Sequence, residues 1–302
     1  MNNKFTSFIN ALPKARIAVA VSGGADSMAL MHWCADYKPV VLTIDHGLRN
    51  ESAAEAEMVG RVAKKLGLEH HTLKWVGDKP DTGVEEAARE ARYNLMLDFC
   101  RANNIGILMT AHHADDNIET FLMNLGRGSG LFGLGGLRPI SERGGITIAR
   151  PLLEVRRAEL RDWCVKNSVD FVDDPMNDDE QFLRVRVRKN RGILAEKLGI
   201  SDERLLLAIS SLARARDASE GEIEKLLLNF DGNYSTLENL PEEMKLKFFS
   251  RILQQVGGDA YPPRLDSVQR ALKELEKDAT ITLAHCIVKR KGNIIRIENE
   301  KV

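Results

Sequence analysis

The sequence predicts an α/β fold: a doubly wound parallel sheet, Rossmann-like, followed by a smaller, mainly helical domain with a terminal β-hairpin. Three observations lead there. Short apolar runs alternate with helix-length amphipathic stretches through the first half of the chain, the signature of βαβ units around a parallel sheet. A Gly-Gly turn follows directly on the first of those runs. Beyond about residue 200 the runs give way to helical stripes, and alternation returns only near the C-terminus.

Arg16 to Val21 is a short apolar run that suits a buried parallel strand. Ser27 to Ala35 reads as a helix packed on the sheet, and Val40 to Ile44 as a second strand ending in Asp45-His46-Gly47. Met58, Val59, Val62 and Leu66 recur at helical spacing, with Gly67 as the C-terminal stop. A weaker strand follows at Glu69 to Leu73. Val84, Ala88, Ala91, Leu95 and Phe99 mark a long amphipathic helix. Ile105 to Thr110 is another strand, leading into a helix from about Ala114 to Asn124.

Gly126 to Gly136 holds six glycines in eleven positions, too many for a regular element, and reads as a mobile loop. A strand is expected at Ile146 to Ala149, a helix from Arg156 to about Asn167, and a further strand at Val169 to Val172. An acidic run, Asp173 to Glu180, precedes a basic one, Phe182 to Arg191, whose arginines alternate with valines. That alternation suggests an extended segment with its arginines on one side. Helices are expected from Ser201, where Leu205, Leu206, Ile209 and Leu212 form a stripe, and at Glu242 to Val256 and Leu265 to Leu275. Apolar alternation around Lys291-Gly292-Asn293 is a hairpin signal. The expected domains are residues 1–200 and 201–302.

The chain has 302 residues, 43% of them hydrophobic and 29% charged, as in ordinary soluble globular proteins with room for two domains. No apolar window is long enough to span a membrane, and no secretory signal is seen, so a cytoplasmic location is expected. Cys34, Cys100, Cys164 and Cys286 are widely spaced and form no Cys-x-x-Cys pair, which argues against a disulfide framework or a thiolate metal site. A net charge of −1 gives no global sign of a nucleic-acid partner. The oligomeric state, a homodimer included, stays open.

The chemistry is concentrated in Ser22-Gly23-Gly24-Ala25-Asp26-Ser27, between a predicted strand and a predicted helix. Backbone N–H groups at a helix N-terminus and a glycine turn make an anion site. Asp26 would repel phosphates unless a cation lies between them, which implies Mg²⁺ bridging Asp26 and pyrophosphate oxygens. The loop lacks a Gly-Lys-Ser/Thr ending and so is not the usual nucleotide-triphosphatase loop.

The loop resembles the signature of the N-type ATP pyrophosphatases, which have an adenine nucleotide alpha hydrolase-like fold and split ATP between its α and β phosphates. Within that group the chain resembles the tRNA(Ile)-lysidine synthetases. The matching segments are Asp45-His-Gly-Leu-Arg49, Ala88-Arg-Glu-Ala-Arg-Tyr93, Ala111-His-His-Ala-Asp-Asp-Asn-Ile-Glu-Thr120, Arg127-Gly-Ser-Gly-Leu131 and Arg150-Pro-Leu-Leu153. Length and element pattern fit the shorter form of the family, without an extra C-terminal domain. Asp174-Pro-Met-Asn177 departs from the family's usual Asp-Pro-Ser-Asn.

The resemblance implies that ATP adenylates the wobble cytidine of the CAU anticodon of tRNA(Ile) and that the ε-amine of free lysine then displaces AMP. It places the lysine-handling acids at Asp116 and Glu119, three apart and on one helix face; the alternative is a helix N-terminus enriched in acids by its dipole. His112 lies with them at a strand-to-helix junction, where ligands gather in open α/β sheets. Arg92, at the edge of an apolar stripe, either snorkels or reaches the site; matching the family, it neutralises phosphates. Asp45 and His46 are expected beside the nucleotide. Arg127 and Ser129 belong to a lid that orders on substrate binding. Arg184, Arg186 and Arg188 are expected to contact tRNA phosphates, against a merely solvated charge run.

Overall fold

A computed structural model describes residues 3–45, 47, 52–75, 84–173, 179–259 and 262–300. The elements in chain order begin with α1 (Asn3–Asn10), β1 (Arg16–Ala20), α2 (Ala25–Trp33), β2 (Val40–Asp45), α3 (Ser52–Lys65), β3 (His70–Lys74), α4 (Val84–Ala102) and β4 (Ile105–Met109). They continue with α5 (Ala114–Gly126), α6 (Leu131–Leu134), β5 (Ile140–Arg143), β6 (Ile146–Ala149), α7 (Arg157–Lys166), α8 (Leu183–Leu198) and α9 (Asp202–Leu228). The last are α10 (Tyr234–Glu238), α11 (Glu242–Gly257), α12 (Leu265–Leu275), β7 (Thr280–Leu283), β8 (Cys286–Lys291) and β9 (Ile294–Asn299).

Six strands form one sheet in the order β3-β2-β1-β4-β6-β5. All neighbours are parallel except the edge pair β5/β6, which is an antiparallel hairpin. Both faces are covered, as apolar strands require. On one face Met28, Leu30 and Met31 of α2, Val59 and Val62 of α3, and Leu160 of α7 pack against Val19, Val41 and Met109. On the other, Tyr93, Met96, Leu97 and Cys100 of α4 pack against Ala18, Leu42, Leu108 and Ile148. Each large apolar side chain buried there stabilises the fold by about 1.5–3 kcal/mol.

The sheet order sets the site. Chain direction across the sheet reverses between β1 and β4, and the crevice outside their carboxyl ends is where open α/β sheets take ligands. The Ser22–Ser27 loop leaves β1, and Thr110–Asp116 leaves β4. The two segments therefore meet at the switch point.

The chain forms two compact units, residues 1–212 and 213–302, dividing within α9. The second contains the remainder of α9, α10 to α12 and a three-stranded antiparallel sheet, β7-β8-β9. The expected hairpin is its β8/β9 pair, and β7 extends it by one strand. Among the described residues no helix is long and apolar enough to cross a membrane.

Three expectations need correction. Val169–Val172 is not a strand: it joins no ladder, and its bonds are Val169 N–H to Cys164 O and Val172 N–H to Gly23 O, each at 2.9 Å. Phe182–Arg191 is not extended either, because Leu183 to Leu198 is helix α8. The glycine-dense segment is not wholly irregular. It contains α6, tied by Asn124 Nδ2 to Gly133 O at 2.9 Å and by Leu137 N–H to Asn117 Oδ1 at 2.8 Å. Gly136 has φ +65°, and a Cβ there would lie 2.3 Å from Asn117 Oδ1, so the fold demands glycine at that position.

Candidate active site

The loop is shaped by its own hydroxyls. Ser27 Oγ accepts from Ser22 N–H at 3.1 Å and donates to Gly24 O at 3.0 Å. Ser22 Oγ lies 3.3 Å from Ser27 Oγ. Gly23 has φ +92°, a conformation that glycine adopts without strain. Helix α2 starts earlier than the sequence suggests, with Gly24 as its N-cap, so Ala25, Asp26 and Ser27 form its first turn. The first backbone N–H groups of α2 have no intrahelical partner, and Val172 fixes the Gly23 carbonyl from outside. The result is a helix N-terminus ready for an anion.

A cavity of about 500 Å³ opens over this loop. Ser22, Gly24, Ala25, Asp26 and Ser27 line one end of it, with Thr110, His112, His113 and Asp116 beside them. Arg89, Arg92, Arg184 and Arg188 give it a cationic wall, and Leu42, Ile44 and Met96 supply apolar surface. Arg157 lies 3.9 Å from Asp26, and Arg161 lines the cavity while paired with Asp173.

His113 organises the polar end. It caps α5: its Nδ1 accepts from Asp116 N–H at 3.3 Å, while its own N–H donates to Asp116 Oδ2 at 3.0 Å. Its Nε2 lies 3.4 Å from Asp26 Oδ2 and 3.5 Å from Asp116 Oδ2. Burial alone would lower the pKa of His113, but Asp26, Asp116 and Asp115 outweigh it and hold the pKa above the ordinary value. For Asp116 burial acts upward, yet His113, His112, a backbone N–H and Arg184 win and keep its carboxyl low. His112 behaves oppositely. Burial, helped by Arg150, Arg89 and Arg184, pushes it down to about 3 despite Asp116. Its neutral Nδ1 sits 2.8 Å from Thr110 Oγ1.

Asp26 Oδ1 is buried without a hydrogen-bond partner. A buried carboxylate oxygen left unpaired is costly, and this one lies at the loop, where a hard cation with oxygen ligands would satisfy it.

The expected site residues do not all fall together. Ser22, Gly24, Ala25, Asp26, Ser27, His112, Asp116, Arg92, Arg184 and Arg188 line the cavity, and Gly23 shapes its loop. Glu119 does not line it. Glu119 is fully buried and paired with Arg188, Nε to Oε1 at 2.7 Å, with Arg184 Nε 3.6 Å from Oε2. Glu119, expected with Asp116 to handle lysine, is thus engaged by Arg188 and Arg184 and not by the cavity. The i, i+3 spacing is right, but α8 covers that part of the helix. Arg186 is exposed on the helix, donating to the Glu180 and Gln181 carbonyls, while Arg184 and Arg188 line the cavity. Arg127 and Ser129 lie outside the cavity lining. Asp45 Oδ1 accepts from Gly47 N–H at 2.9 Å and Ser52 Oγ at 2.7 Å, tying β2 to α3. His46 lies outside the described residues, as do Asp174 to Asn177.

Sequence reasoning missed Arg89, Arg157, Arg161 and Thr110. Arg89 had a visible signal: it stands one helical turn before Arg92 in the same motif. Arg157 and Arg161 had none, since only the packing of α7 brings them to the cavity.

Sheet order, loop and cavity together define an ATP-using protein of the PP-loop class, and a family model described as a PP-loop domain matches residues 1–193. The tRNA(Ile)-lysidine synthase of Ruegeria pomeroyi is 37% identical over 312 residues, covering 99% of this chain and 74% of its own. That of Methylobacterium nodulans is 42% identical over 274 residues, covering 85% and 80%. A solved structure, the U34-tRNA thiolase NcsA from Methanococcus maripaludis, shares the fold with a TM-score of 0.58 at 14% identity, over 70% of this chain and 78% of that one. The chain belongs to the tRNA(Ile)-lysidine synthase family, and is an ATP-dependent ligase acting on tRNA.

Proposed function

We propose that the chain adenylates the wobble cytidine of a CAU anticodon in tRNA(Ile) and joins it to free lysine, giving lysidine, AMP and pyrophosphate and changing decoding from AUG to AUA. The observation that carries this reading is the joining, in one cavity, of an anion loop, an acidic residue and a cationic wall. ATP phosphates suit the N-terminus of α2, with Ser22 as a hydroxyl donor and Ser27 shaping the loop, and Arg92 and Arg184 oppose the charge from the cavity lining. Leu42, Ile44 and Met96 offer an apolar bed for a base. Asp26 is the residue that would hold Mg²⁺, which supplies charge neutralisation to the phosphates when bound.

Two bond exchanges are required. The cytidine 2-carbonyl oxygen attacks the α-phosphorus and pyrophosphate leaves. The lysine ε-amine then attacks C2, AMP leaves, and the amine gives up a proton. Asp116 lines the cavity and stays ionised, which suits it to hold the incoming ammonium beside the adenylate. Glu119, already paired with Arg188, supports the wall. Sulfur transfer, a related chemistry, finds no reactive thiol here. All four cysteines are buried, and burial pushes Cys34 up to about 12 and Cys100 and Cys164 to about 11.

The test incubates the purified chain with Mg·ATP, labelled lysine and a tRNA(Ile) transcript bearing CAU, with a methionine tRNA of the same anticodon as control. Label entering only the isoleucine tRNA, with AMP and pyrophosphate released, is expected. AMP release with another acceptor, and no labelled tRNA, would retain the nucleotide chemistry and discard lysidine.

A further inference from the structure

Asp115 and Asp116 are adjacent but face different surroundings. Asp116 lines the cavity; Asp115 is 4% exposed, lies outside the lining, stands 3.9 Å from Nδ1 of the capping His113 and takes its hydrogen bonds from other elements. Its Oδ2 accepts from the backbone N–H of Arg157 at 2.8 Å, at the start of α7. Its Oδ1 accepts from Arg156 at 3.2 Å and from Arg191 of α8. Asp202, opening α9, shares both guanidiniums, binding Arg156 and lying 3.5 Å from Arg191. Two carboxylates and two guanidiniums thus close a neutral quartet joining α5, α8 and α9 with the residue that caps α7.

The quartet bears on the cavity because of what lies one step away. Arg157, whose N–H Asp115 holds, sends its side chain into the cavity, 3.9 Å from Asp26. Arg188 is three residues before Arg191 on α8 and lines the cavity while gripping Glu119. Asp115 and Glu119 are one turn apart on α5, and Arg191 and Arg188 are one turn apart on α8. They form successive rungs between two helices that run in opposite directions. Apolar packing contributes little to α8, for Val185 is its one buried residue. Ionic rungs therefore set where its arginines stand.

We infer that Asp115 is a positioning residue, which through Arg191 and the Arg157 N–H places the cavity arginines Arg157 on α7 and Arg184 with Arg188 on α8 around the ATP phosphates. The inference rests on the reading that this cavity binds ATP. A carboxylate that served only stability would not need to couple to the cavity arginines, whereas a positioning residue must.

The test measures ATP affinity for the full chain and for Asp115→Asn, Arg188→Ala and the double variant, with a thermal melt of each. Displacements of about an ångström in a binding constellation cost on the order of 10- to 100-fold. Asp115→Asn is expected to weaken ATP at least about 10-fold while still folding, and to add under about twofold in the Arg188→Ala background. Asp202→Asn, which removes the quartet's other carboxylate and leaves the Arg157 N–H bonded, should follow the same pattern more mildly if Asp115→Asn fails to fold. Losses that multiply in the double variant, or ATP affinity unchanged in Asp115→Asn, would overturn the inference. Failure of the unaltered chain to bind ATP would instead overturn the reading of the cavity.

Discussion

Arg188 meets Glu119 in a two-pronged ion pair, Nε to Oε1 at 2.7 Å and a terminal nitrogen to Oε2 at 3.2 Å. Glu119 has no exposed surface, and the Arg188 side chain is 22% exposed. Such a pair is weak evidence for net stability, but breaking it from one side leaves a buried charge without its partner. Glu119→Gln is therefore expected to cost about 3–5 kcal/mol of stability and to lower the melting temperature by several degrees. Asp116→Asn, at the cavity, should melt nearly as the parent does while losing lysine transfer. Melting curves beside single-turnover lysine incorporation separate the two. A Glu119→Gln protein of parental stability that fails only in lysine transfer would return Glu119 to the substrate.

Asp26 is the second case. Asp26→Asn keeps the shape of the side chain and a contact for His113 but removes the charge at the unpartnered oxygen. AMP formation is expected to fall on the order of 100-fold or more, without recovery at high Mg²⁺, while the fold persists by circular dichroism. Activity restored by raised Mg²⁺ would show that the carboxylate contributes affinity alone.

Much of this was readable in advance, and the failures have a common cause. β1, β2, β4 and the Ser22–Ser27 loop were legible because apolar runs ending in glycine or polar turns report a buried parallel strand directly. Helix α8 was not. The residues that hold it to α5 are Arg184, Arg188 and Arg191, so the helical period is written in cations, and a search for apolar spacing sees only the accidental alternation with valine. Val169–Val172 misled in the same way: its apolar residues pack on the core beside the loop, but it makes a single bond to Gly23 and no ladder. The β5/β6 hairpin did carry a signal, Gly144-Gly145 with both φ positive between two short runs, which the reading overlooked. At the site, adjacent Asp115 and Asp116 could not be told apart, because only the packing of α7, α8 and α9 decides which one meets the cavity.

The helical assignment of α8 changes what its arginines should do. Arg184 and Arg188 face the cavity, whereas Arg186 is exposed and bonded to carbonyls at the helix start. If the two inward arginines contact phosphates of a single-stranded anticodon loop, removing both should flatten the salt dependence of tRNA binding by about 1.4 in slope, at roughly 0.7 per contact. Arg186→Ala should leave that slope unchanged and shift stability within about 0.5 kcal/mol. Filter binding across a salt series measures it, and an equal effect from Arg186 would assign the contact to the whole basic run.

The Asp115 quartet also predicts how the protein meets acid. Burial by itself would raise the Asp115 pKa, but the Arg157 N–H together with Arg191 and Arg156 brings it down from 3.8 to about 2. A carboxylate whose pKa is depressed on folding binds protons more readily in the unfolded chain, so its contribution is complete above the unfolded value and disappears as pH falls through the folded one. The window is therefore pH 4 down to about 2, and the amount at stake is about 2 kcal/mol. His112 adds a separate window. It is held neutral by burial, so stability from this group is lost as pH falls from 6.5 towards about 3. Urea midpoints taken between pH 7 and 2 should decline in two stages. Asp115→Asn should lower stability at pH 7 and shrink the lower stage, because an amide has no proton to gain; the share of Asp116, also held low, and the His112 stage survive. A lower stage of the same size in Asp115→Asn would assign that acid sensitivity to other carboxylates of the fold.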